Sequence, residues 1–153
     1  MGVLTDYFRA PDAGAVVAFL TSSEAASPVA EFDGVEAKSI DPHVVLGLLV
    51  AVAAGEPYQG LASRPVWPAT PEPTGYPDDG DPWADGPWVF ELDTRVRDVI
   101  ADVNEVTAVV TEWARAEEVG GSPSDWEPVV GELVALAGRA RSAGQRLYCW
   151  TCL

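Results

Sequence analysis

Arg146-Leu147-Tyr148-Cys149-Trp150-Thr151-Cys152 decides the fold, because it reads as a strand at the far end of the chain. Leu147, Cys149 and Thr151 fall on one side of an extended backbone, and Tyr148, Trp150 and Cys152 on the other. Gly2 to Arg9 alternates in the same way at the opposite end, with Val3, Thr5 and Tyr7 against Leu4, Asp6 and Phe8. Strands at both ends with helical patterns between them predict an α+β domain. Its small mixed or antiparallel sheet includes both terminal strands, packed with about four helices.

Working inward, Pro11 fits the first turn of a short helix whose buried stripe is Val16, Val17, Phe19 and Leu20. Thr21 to Pro28 is small and polar, hence a loop. Asp41-Pro42 starts a nearly all-apolar helix, with Val44, Val45, Leu48, Leu49 and Val52 at helical spacing and Gly55 as its stop. Trp88 to Leu92 is a strand, and Asp93 caps one long helix from Thr94 to Glu118, ended by Gly120-Gly121. Ser124 and Glu127 form a capping box for the last helix, which Gly144 terminates.

Residues 65–87 interrupt this regular plan. Seven of the 13 prolines lie here, so the stretch predicts a loop without regular structure. Between Arg64 and Arg95 stand seven carboxylates and no base. Trp67, Tyr76, Trp83 and Trp88 argue against disorder, because such rings bury much apolar surface. The loop is therefore expected to be pinned onto the domain by its aromatics, within a single domain spanning residues 1–153.

The chain carries 24 acids against 9 bases and one histidine, a formal charge of −15. Such a surface repels nucleic acid and anionic membranes. The longest apolar stretch, Val44 to Ala54, is too short to span a bilayer. No secretory pattern is visible at the start, which makes a cytoplasmic location the expectation.

The opening Met1-Gly2-Val3 with Tyr7-Phe8-Arg9, the helix of Asp41–Gly55, the passage Trp88–Glu118 and the strand Arg146–Thr151 resemble the YfbM-like family of small bacterial proteins of unknown function. The resemblance implies an α+β fold and no activity. That family has a Trp and a His close together before the central helix. Here Phe32 to Ile40 holds neither, and His43 lies inside the helix, so no family site residue is carried over.

Few residues stand out chemically. Cys149 and Cys152 form a CxxC pair, the only metal or redox candidate of that kind, yet strand alternation places them on opposite faces. Asp78, Asp79, Asp81, Asp85 and Glu72 offer oxygen ligands without the spacing of a calcium loop. His43 has no sequence-defined catalytic partner, and Gly120-Gly121-Ser122-Pro123 lacks the lysine of a phosphate loop. No cofactor is expected.

Trp rings among charges have the composition of protein-recognition hot spots. The expectation is a non-enzymatic protein-binding module, of immunity, inhibitor or accessory type, for a protein partner of basic character. Asp78, Asp79, Asp81 and Asp85 would steer, with Trp83 and Trp88 as anchors. The alternative is an enzyme or small-ligand binder with a non-linear site in a pocket beside the Pro-rich loop.

Overall fold

The computed structural model describes residues 3–153, so Gly2, where the first strand was expected to begin, lies outside the described residues. Five strands form one antiparallel sheet: β1 (Leu4–Ala10), β2 (Gly34–Glu36), β3 (Ser63–Trp67), β4 (Trp88–Leu92) and β5 (Arg146–Cys152). Their spatial order is β2-β1-β5-β4-β3. The two terminal strands pair along their full length, from Leu4 opposite Cys152 to Ala10 opposite Arg146. All pairings are antiparallel, which selects one of the two expected sheet types.

Both faces of the sheet are covered, making three layers. Alternation sends Tyr7, Leu92, Leu147 and Cys149 toward α2 (Val45–Ala54), α4 (Thr94–Ala101), α5 (Val106–Trp113) and α6 (Pro123–Ser142). Phe8, Ala10, Val89, Tyr148 and Trp150 point the other way, under α1 (Ala13–Ser22) and the 3-10 turn Pro28–Ala30. Stacked Phe8, Phe32 and Tyr148 rings fill that second core.

Four expectations need correction. The helix expected over residues 94–118 is two helices. Asp102 and Asn104, whose side chains compete with helical backbone hydrogen bonds, lie at the break. An unbroken helix of that length would run roughly 37 Å. The break instead lets α5 return to the core, where the Trp113 indole donates to the Val45 carbonyl at 3.0 Å. The last helix starts two residues early: Asp125 accepts from the Ser122 amide, and Pro123 takes the first helical position, so the Ser124–Glu127 box is not the cap.

Regular structure also enters the proline-rich stretch. Pro65 sits in β3, tolerated because β3 is an edge strand and its register shifts between Pro65 and Trp67. A short helix, α3 (Pro82–Asp85), follows the Asp81 cap. The described residues thus hold six α-helices where about four were expected, two of them from the split and one from this short turn. β2, three residues long, had no legible period.

Asp41 does start the central helix region. Its carboxylate accepts from the amides of His43, Val44 and Val45, although regular helix begins only at Val45. Gly55 (φ +66°) and Gly144 (φ +65°) supply the left-handed stops.

Asp33, just before β2, clamps the layers together. It accepts from Arg9 Nε of β1 at 2.6 Å and from Arg139 Nε and Nη2 of α6 at 2.7 and 2.9 Å. The hydrogen bonds from Arg139, joined by Arg9, hold its carboxyl at about 2, below the ordinary 3.8. Its stabilising contribution is therefore present above the ordinary value and lost as pH falls toward 2. Acid unfolding followed by circular dichroism should show an Asp33→Asn variant less stable at neutral pH, the gap closing between about pH 4 and 2. A gap constant through that window would show that the clamp is not electrostatic.

Candidate functional site

β4 ends the proline-rich stretch at Trp88, paired opposite Thr151 of β5. Trp88 and Phe90 alternate with Val89, so they share the face that carries α2, α4, α5 and α6. The N-terminal end of α2 approaches this part of the sheet, and the His43 ring meets Phe90 edge-on with centroids 5.0 Å apart. The proline-rich segment, residues 68–87, then crosses as a strap. Between strap and sheet lies an open groove of about 400 Å³, lined by Trp83, Trp88 and Phe90 with Pro73, Pro77 and His43 among others. Asp41, Glu72, Thr151, Val3 and Leu153 also line it.

Internal hydrogen bonds fasten the strap. Asp81 Oδ1 accepts from the Trp83 amide at 2.8 Å, capping α3. The Trp83 indole donates to Thr70 Oγ1 at 3.1 Å and to the Thr70 carbonyl at 3.3 Å. The Trp88 indole in turn donates to the Trp83 carbonyl at 3.1 Å. Gly86 (φ +73°) packs against the Trp88 ring so closely that a Cβ there would stand 2.9 Å from two ring carbons.

The expected anchors and steering acids are thus brought together, but not in the expected roles. Trp83 is only 8% exposed and braces the strap from within. Trp88 is half-buried and forms a wall of the groove, so neither ring stands out as a knob. Asp78, Asp79 and Asp85 are exposed along the strap, while Asp81 is half-buried in its capping role. Tyr76, at 102% relative exposure, is the ring that does project from this segment.

Sequence reasoning missed four contributors. His43, Phe90 and the end residues Val3 and Leu153 converge only through sheet pairing and helix packing. No linear signal marked them; what the fold reveals there is exposed apolar surface. Val3 and Leu153 are both exposed and line the groove, Val44 adjoins His43, and the exposed Tyr58 donates from its hydroxyl to the His43 carbonyl.

Other chemically suggestive groups lie elsewhere. Cys149 is fully buried under the helices, and burial pushes its thiol well up, away from nucleophilic character. Cys152 packs with the opposite core, so the CxxC pair is divided by the sheet. Among the described residues no three of His, Cys, Asp and Glu converge as a metal-binding group, the strap acids included. Glu91 is buried on the α1 side. Its Oε1 accepts from Arg64 and Arg146, each at 3.0 Å, and its Oε2 from the Tyr148 hydroxyl at 2.8 Å. Burial raises its carboxyl, but Tyr148 and the two arginines more than offset this and leave it lowered. Burial pushes the Asp6 carboxyl up, against a hydrogen bond from Ser27. Asp6 shares a face with Phe8, across the sheet from the groove.

No helix among the described residues is long and apolar enough to cross a membrane. Compared with protein-family models, curated proteins and solved structures, the chain matches none of them.

Proposed function

We propose that this protein is a non-enzymatic binding module of the cytoplasm that captures a basic protein partner with the strap and the groove beneath it. The observation that carries this reading is the clustering of exposed apolar side chains, Val3, Leu153 and Val44, around an aromatic groove in a strongly acidic surface. Contiguous apolar surface rimmed by charge marks interaction sites on soluble proteins. The strap carries Asp78, Asp79 and Asp85 exposed beside the lining residues Pro77 and Trp83 in sequence, with Asp81 as the α3 cap between them, and no base lies between Arg64 and Arg95 to cancel them. Opposite fields of this kind speed encounter more than they deepen affinity. An acidic capture surface is the chemistry of immunity, inhibitor and accessory proteins, and it leaves nucleic acid without a complementary face.

Changing the four aspartates to asparagine tests this. Asparagine still caps a helix, so α3 survives the change at Asp81. With a partner crosslinked in native extract and then purified, the association rate at low salt should fall about tenfold and lose most of its salt dependence. An unchanged rate would falsify the reading.

A second reading, an enzyme or small-ligand binder beside the Pro-rich loop, has one observation in its favour. The groove volume of about 400 Å³ falls in the range of small-molecule sites. Saturable thermal stabilisation by a small neutral metabolite, with no basic protein bound, would select it.

A further inference from the structure

We infer that the groove is a seat for a single cationic side chain, an arginine or lysine of the partner. This rests on the binding-module reading and names the group that the module recognises. Three features of the lining converge on a cation. Trp83, Trp88 and Phe90 present aromatic carbon on the walls, and the electron-rich faces of such rings attract ammonium and guanidinium groups. Asp41 and Glu72 are the acidic side chains of the lining; among the described residues neither has a basic side chain within ion-pair distance, and Asp41 already accepts from three backbone amides at the start of α2. Among the described residues, His43 is the sole member of the lining whose side chain can carry positive charge.

The apolar remainder suits the stem of such a side chain. Pro73, Pro77, Val3 and Leu153 offer hydrocarbon along which the methylenes of arginine or lysine can lie while the head reaches the rings. An aliphatic side chain would fill the same volume but give the exposed Glu72 carboxylate no counter-charge, while Asp41 keeps the three amide donors of its cap. An anionic one would face both carboxylates directly. The groove therefore discriminates by charge within a shape that all three could enter.

The test uses the whole chain and two probes with unbranched stems, the cationic N-acetyl-arginine methylamide and the neutral, shorter N-acetyl-norleucine methylamide. In proton–nitrogen NMR titrations, the arginine probe should shift the Trp88 indole and the backbone amides of His43, Phe90 and Thr151 saturably. The norleucine probe should bind at least about fivefold more weakly. Glu72 is exposed, so a Glu72→Gln variant folds normally and should weaken the arginine probe about threefold while leaving the norleucine probe unchanged. Equal binding of the two probes, or no saturable shift with arginine at millimolar concentration, overturns the seat. The two readings fail separately. A groove indifferent to charge on a protein whose partner association still depends on the strap aspartates removes the seat and keeps the module. Arginine-probe binding with no protein partner keeps the seat and removes the module.

Discussion

Replacing Trp113 with alanine is expected to lower the stability of the domain by roughly 3–5 kcal/mol. Trp113 is the largest of the fully buried side chains, and it lies where α5 packs on α2 and α6. Its indole N–H satisfies the Val45 carbonyl, and its ring meets Trp126 edge-on at 5.4 Å. Truncation removes that hydrogen bond, the aromatic contact and most of the buried area together. It leaves a cavity that the sheet below cannot fill. A loss of this size is a large share of the roughly 5–15 kcal/mol that holds a domain folded. Trp113→Phe, which keeps the ring but not the donor, should cost about 1–2 kcal/mol. Urea unfolding of both variants measures this. An alanine variant within about 1 kcal/mol of the parent would show that the four-helix layer closes over the gap.

Much of this architecture was legible because the residues obey one period at a time. β5 alternates cleanly from Leu147 to Cys152, and β1 does the same from Thr5 to Ala10, so both strands and their neighbourhood followed from pattern alone. The stop at Gly144 was equally plain. What failed was the reading of segments where two rules compete. Val96, Val99, Ile100, Val103 and Val106 keep helical spacing across a break that Asp102 and Asn104 impose locally. Pro65 reads as a strand breaker, yet an edge position removes the penalty.

The candidate site was half legible. Composition drew attention to the strap, and Trp88 lines the groove beneath it. No linear pattern could bring His43 to Phe90, or Val3 and Leu153 to either, since those approaches arise from the sheet order and from where α2 begins. The role of Trp83 was hidden for the same reason. Whether a tryptophan projects or braces depends on what its indole finds, here Thr70, and that pairing is not written in the spacing.

Trp83 to alanine should then separate the strap from the domain. Trp83 is buried, but it belongs to neither of the two apolar clusters that flank the sheet. Its burial is against the strap itself and the adjoining end of β4, so its loss should act locally. Removing a buried indole costs about 3 kcal/mol or more, which multiplies the opening of the strap roughly a hundredfold. Hydrogen exchange at the Asp81 amide, which closes the turn before α3, and at the Ala84 amide, which bonds the cap carbonyl of α3, should speed up accordingly, and protease should enter between residues 68 and 87. The amides of β5, held between β1 and β4, should keep their protection, and the urea midpoint should move far less than in Trp113→Ala. Binding of the arginine probe should vanish with the wall that Trp83 supports. If β5 instead loses protection in step with the strap, Trp83 is part of the cooperative core, and the groove has no independent roof to lose.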